Sequence, residues 1–312
     1  MFPGNILFLD IFTIPDALRF PVAPQYLIPL LVCVIGRAIA EPVRWTIYTA
    51  QSERTPFSLY FRIFMFNGFL GYLLPIKLGL PARLALLRWK TSLDLYRITS
   101  LVAFDVALTH IYWVLLAGTT LPFLGQLEFV DWSYKTIFLG LTAIGVIVWL
   151  FVLKTHPSRA DAKGIIGRVA TLRMRFRKAF SELNAGIISR TIVVLLFDVI
   201  FLVGLHWALV RFIGQDLPIS AIFLISVIAS FVGVISLTPM GLGTYDAVII
   251  FLLVQYSLPI DAAVATPLIY RLGTAAVAIP VGFLCGLSLG INPKQREWLN
   301  RYGGSDNSHE RR

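Results

Sequence analysis

Long apolar runs, separated by short clusters of proline, glycine and charge, make up most of this chain. Runs long enough to cross a bilayer, which takes about 20 residues, can be drawn at 25–49, 57–75, 98–122, 135–153, 186–212, 218–238 and 262–290. An eighth, 244–256, is too short to span alone. The runs lack the short alternating strands of an outer-membrane barrel. The pattern therefore predicts an all-α, polytopic transmembrane helical bundle of about seven or eight spans. Residues 1–24 show no basic leader, apolar stretch and small-residue cleavage site, so they read as an interfacial segment or a degenerate helix. A single transmembrane domain over 25–292 and a basic tail over 293–312 complete the organisation.

Charge sets the expected topology. The 76–97 loop holds Lys77, Arg83, Arg88, Lys90 and Arg97, whereas 122–135 and 211–217 carry few cations. The 154–185 loop holds Lys154, Arg159, Lys163, Arg168, Arg173, Arg175, Arg177 and Lys178. Both basic loops and the tail are expected in the cytoplasm, which makes this a multi-pass protein of the cytoplasmic membrane with a cytoplasmic C-terminus. Parity between the second loop and the tail holds if 244–256 traverses beside a broken partner; if it is re-entrant, another element must change. Within 154–185, Ile165, Val169, Leu172, Phe176, Phe180 and Leu183 share one narrow helical face with the cations off it. Such an amphipathic helix either lies on anionic head groups or packs on its own bundle.

Composition agrees: 57% of residues are hydrophobic and 14% charged, more apolar sequence than an ordinary soluble core can absorb. The net charge of +10 sits in loops, where it sets orientation, so no nucleic-acid partner is expected. Cys33 and Cys285 fall inside predicted spans, and no Cys/His cluster has metal-ligand spacing. No phosphate-binding loop ending in Gly-Lys-Ser/Thr is present, so no cofactor or metal is expected and any coupling must use an ion gradient or the lipid gradient itself.

Ionisable groups inside spans are the candidate chemistry, because each costs roughly 2.5–3.5 kcal/mol on insertion scales unless partnered or wet. Arg37, Glu41 and Arg44 follow spacings of four and three, which suits a clamp along one helix face more than a substrate site. Asp105 and Asp198 open two similar Phe-Asp-Val stretches, each with a later His, a hint of an internal, inverted repeat that chance similarity explains equally well. They are candidate coupling acids, or structural acids paired to an arginine of a neighbouring helix, for which Arg271 is available.

Two segments are broken. In "LTPMGLGTYDAVII", Pro239, Gly241 and Gly243 predict that one helix stops near Thr238 and another starts near Thr244. The second would offer amides and a positive dipole end to an anionic group, with Asp246 as ligand or cap in its first turn. In "GYLLPIKLGLPARLALLRWK", Pro75, Gly79 and Pro81 interrupt the run while Lys77 and Arg83 supply cations. Paired interruptions in opposite halves mark transporter sites; the plainer alternative is a cytoplasmic loop with kinked flanks.

These residues resemble the transmembrane region of lysylphosphatidylglycerol synthetases and its free-standing, flippase-like relatives. The family's Pro-Gly-Gly-Leu-Gly-x-x-Glu motif is similar to Pro239 through Asp246, and its Leu-Pro-x-x-x-Gly-Glu-x-x-Arg stretch to Leu74, Pro75, Gly79, Leu80 and Arg83. A late Arg-Leu pair and a Pro-x-x-x-Gly-like helix match around Arg271, Pro280 and Gly286. Met240 stands for a motif Gly, Asp246 for the Glu, and Leu80 for the acid after Gly79. The resemblance implies movement of a lipid or lipid-linked molecule between leaflets, and no aminoacylation by this chain.

The expected function is a flippase-like transporter for an anionic lipid or polyprenyl-linked intermediate, with substrate-binding residues Pro75, Lys77, Gly79, Arg83, Pro239, Gly241, Gly243, Asp246 and Arg271. Arg83 and Arg271 would hold phosphate, because a guanidinium grips two oxygens at once. The alternatives are an integral membrane transferase, with Glu128 and Asp131 as its acids, or an accessory subunit for a lipid-synthesis enzyme that docks through 164–183. Membrane lipids, anionic ones above all, are the expected partners; the sequence does not specify an oligomeric state.

Overall fold

A computed structural model describes residues 23–50, 55–73, 79–124, 184–235 and 241–290. The described residues form helices joined by turns. After a single 3-10 turn at Pro24–Tyr26 come α1 (Leu27–Thr49), α2 (Phe57–Leu73), α3 (Gly79–Lys90), α4 (Leu95–Leu124), α5 (Ala185–Phe212), α6 (Ile219–Ile235), α7 (Thr244–Gln255) and α8 (Ile260–Ser288). The stretches 24–49, 95–118, 185–212 and 260–288 are long and apolar enough to cross a bilayer; α6 and α7 are apolar but shorter. At 1.5 Å per residue α7 is about 18 Å long, well short of a hydrocarbon core of about 30 Å. The expected span at 135–153, the N-terminal segment, the amphipathic loop and the tail lie outside the described residues.

One expectation needs correction. The 76–97 stretch, read as a loop, contains the helix α3. Pro81, expected to interrupt the run, sits in the first turn of α3, where the missing amide hydrogen has no carbonyl to serve. Asn184 caps α5 in the usual way, its side chain accepting from the Ile187 amide at 2.9 Å.

Small residues decide how the helices pair, as expected where lipid supplies no hydrophobic drive between them. α1 lies along α5, and α8 along α2. A Cβ on Gly36 would stand 2.6 Å from the Phe201 ring, and one on Gly204 would stand 3.0 Å from Cys33 Sγ. On α8, Gly282 and Gly286 do the same: a Cβ there would meet the Met65 carbonyl oxygen and the Phe66 ring, each at 2.5 Å. Trp45, Tyr48, Tyr60, Phe64 and Phe104 build an aromatic core where α1, α2 and α4 meet.

In the second half the new helix starts at Thr244, as expected, while the expected stop near Thr238 lies outside the described residues. α6 ends at Ile235 and α7 begins at Thr244, folding back so that the two short helices pack together. Gly241 and Gly243 take φ of +68° and +81°, conformations that L side chains resist. A Cβ on Gly241 would also press within 3.2 Å of Tyr245.

Candidate functional site

Among the described residues, four arginines meet four carboxylates between helices. Arg37 and Arg44, seven residues apart and so on one face of α1, reach different neighbours. Arg44 Nε donates to Asp105 Oδ1 on α4 at 2.9 Å, and Arg37 Nε donates to Asp198 Oδ1 on α5 at 3.2 Å. The two Phe-Asp-Val acids thus share one partner helix. Tyr48 adds a hydroxyl donor to Asp105 Oδ1 at 2.8 Å, and Arg37 Nη1 reaches the Tyr270 hydroxyl at 3.4 Å. Glu41 accepts from Arg83 Nη1 of α3. Arg271 grips Asp246 with two bonds, Nε to Oδ1 at 3.1 Å and Nη2 to Oδ2 at 3.2 Å, tying α8 to the start of α7.

Two expectations change here. Arg37, Glu41 and Arg44 do not form a clamp along their own helix; each bonds to a different one. Arg271 partners Asp246, while Asp105 and Asp198 take the α1 arginines. In both cases spacing along one helix could not foresee which helices would stand beside it.

Three of the pairs line a cavity of about 510 Å³. Arg37, Arg44 and Arg83 face Glu41, Asp105 and Asp198 there, three cations against three anions, with Thr109, His110 and Trp113 of α4 and Ser230 of α6 completing the polar lining. Gly241 and Tyr245 bring the helix break to the same wall. The pairs differ in depth. Side-chain exposure is 6% for Asp105 and 15% for Asp198 but 35% for Glu41, so the Arg83–Glu41 pair is the one most open to exchange.

The sequence-expected residues fall in three groups. Arg83 and Gly241 line the cavity. Asp246, Arg271 and Gly243 form a unit behind its wall: the Gly243 amide donates to Asp246 Oδ2 at 3.1 Å, so Asp246 caps α7 while pairing Arg271, and Arg271 lies 5.6 Å from the Tyr245 ring. Gly79 is the first residue of α3, and Pro75, Lys77 and Pro239 lie outside the described residues. Sequence reasoning missed the aromatic wall. Its signal was present, since Tyr245 precedes Asp246 and Tyr270 precedes Arg271, placing a hydroxyl next to each charge.

Chemically, a dense set of guanidiniums in an open cavity between apolar helices suits an oxyanion of phosphate type, provided a carboxylate yields its place. No curated protein matches this chain. The family model described as lysylphosphatidylglycerol synthase TM region matches residues 5–282, a span that holds every described element of the site and extends N-terminally past the residues that carried the resemblance. With that match across most of its length and with apolar helices of spanning size, the chain is a multi-pass membrane protein that belongs to the lysylphosphatidylglycerol synthase TM region family.

Proposed function

We propose that this protein moves an anionic lipid, a glycerophospholipid or a polyprenyl-linked intermediate, between the leaflets of the cytoplasmic membrane. The observation that supports this reading is the 510 Å³ cavity whose arginines are all held by carboxylates from other helices. A buried charge left alone is costly, about 3–5 kcal/mol when one partner of a pair is removed. A phosphate that replaces Glu41 on Arg83 leaves no guanidinium unpaired, and the displaced carboxylate, already the most exposed of the three, turns to water. The lipid's acyl or prenyl chains stay in the bilayer beside the apolar outer faces of the helices. The family description, a region of a phospholipid-modifying synthase, supports lipid as the substrate class.

The basic loops support a cytoplasmic C-terminus by the positive-inside rule. An association with a lipid-synthesis enzyme, through the amphipathic 164–183 segment, belongs to the same proposal. The test is reconstitution of the full chain into vesicles that carry either a fluorescent phosphatidylglycerol or a fluorescent polyprenyl phosphate. At least one label should become accessible from the opposite leaflet faster than in protein-free vesicles; the proposal fails if neither label moves and neither binds.

A further inference from the structure

Behind the cavity wall His206, on α5, is only 2% exposed, and it takes no part in the four ion pairs. Both of its ring nitrogens are engaged. Nδ1 lies 3.0 Å from the Leu202 carbonyl oxygen and 2.9 Å from Ser226 Oγ, and Nε2 lies 2.9 Å from the Tyr245 hydroxyl. These partners fix every hydrogen for the neutral ring. The Leu202 carbonyl only accepts, so Nδ1 carries the hydrogen. Ser226 sends its own hydrogen to the Ile222 carbonyl at 2.7 Å and accepts from Nδ1. Nε2 is then a bare acceptor, and Tyr245 donates to it.

Tyr245 connects this ring to the cavity, which it lines. Its side chain fills the space left by Gly233 and Gly241, where a Cβ would stand 3.2 Å from it in each case. The charged and titratable groups around the imidazole come from each packed helix. Tyr270 of α8 stacks on it at 5.9 Å and 19°, and Arg37 of α1 holds the Tyr270 hydroxyl while paired to Asp198 of α5. Arg271 of α8 lies over Tyr245 and is paired to Asp246 of α7.

We propose that His206 is a positioning residue that fixes Tyr245 in the cavity wall, and that it binds a proton delivered from the cavity, so that its charge state controls lipid movement. The proton adds to the Nε2 lone pair. The imidazolium then donates from both nitrogens, Tyr245 Oη changes from donor to acceptor, and its own hydrogen must turn away toward the cavity. The change falls beside the elbow between α6 and α7, where Gly241 and Gly243 take positive φ. The control of lipid movement rests on the transport reading above; the tautomer and the proton site do not.

Two measurements on the full chain test this. The first is 15N-histidine NMR of reconstituted protein, with His206 assigned through Leu205–His206, a dipeptide that none of the other three histidines repeats. The expected result is a neutral Nδ1–H tautomer that takes up a proton as the pH is lowered and shifts the Tyr245 ring signals with it; an Nε2–H tautomer, or no response of Tyr245, overturns the proposal. The second is vesicle exchange, over the same titration, of whichever of the two labels, fluorescent phosphatidylglycerol or fluorescent polyprenyl phosphate, the protein moves. Wild type should change rate with pH, while His206→Gln, which keeps an acceptor for Tyr245, should lose that dependence yet outpace His206→Leu by about fivefold, the worth of one hydrogen bond. Exchange with a wild-type pH profile in His206→Gln overturns the proposal and leaves the transport reading standing. A titrating His206 in a protein that moves no lipid does the reverse for the proton site.

Discussion

Arg44 and Asp105 form the deepest pair in the cavity, with side chains 9% and 6% exposed. Removing one charge strands the other, so Arg44→Gln should lower unfolding stability in detergent by about 3–5 kcal/mol. Asp105→Asn added to it should recover most of the loss, because the amide still accepts from Tyr48 and no bare charge remains. Equal stability of the wild type and the single variant would show that the pair is wet and carries little. At this scale the sequence revealed which residues are expensive, since an arginine or an aspartate amid apolar neighbours is visible on inspection. Pairing was less legible: Asp246 and Arg271 were both singled out, but their mutual bond depends on α7 folding back beside α8. The hydroxyls of Tyr245 and Tyr270 were harder to read: each sits next to a charged residue, but a tyrosine in an apolar helix reads as packing until its neighbours are known.

Among the elements, the pairing of α2 with α8 makes the sharpest demand on side-chain size. A Cβ on Gly282 meets backbone, the Met65 carbonyl oxygen at 2.5 Å, whereas one on Gly286 meets the Phe66 ring, which can turn aside. Gly282→Ala should therefore cost more stability than Gly286→Ala, by about 1–3 kcal/mol for an overpacked contact, and Phe66→Ala should rescue only the second. Thermal unfolding of the two single variants, and of each combined with Phe66→Ala, checks the order; equal losses, or rescue of both, would mean that the helices do not approach so closely. Helix existence was largely legible, since α1, α5, α6, α7 and α8 lie within a few residues of the apolar runs that predict them. The exception is α3, whose apolarity is low and whose Pro81 reads as a breaker unless it falls, as here, in a first turn. Length separated the spanning helices from α7, but nothing in a single sequence says which helix a short one folds against.

At the scale of the molecule, α1 is the common partner: its arginines and Glu41 bind α3, α4 and α5, and the cavity opens among these elements beside the α6–α7 break. Bundle class and membrane residence were legible in composition and run length alone; the cavity was not, because it exists only once the seven contributing helices are assembled. The central claim is that lipid passes through this space. Val106 offers the most direct test, since it lines the cavity and is 42% exposed. In a Cys33→Ala, Cys285→Ala background, Val106→Cys leaves every ion pair intact and supplies a single thiol there. Exchange of whichever label the protein moves, fluorescent phosphatidylglycerol or fluorescent polyprenyl phosphate, is then measured in the same vesicles before and after a bulky, charged methanethiosulfonate reagent reacts with that thiol. Exchange should proceed before labelling, fall to the protein-free background after it, and return when a reductant strips the label; exchange that continues unchanged in the fully labelled protein would contradict the cavity as the route.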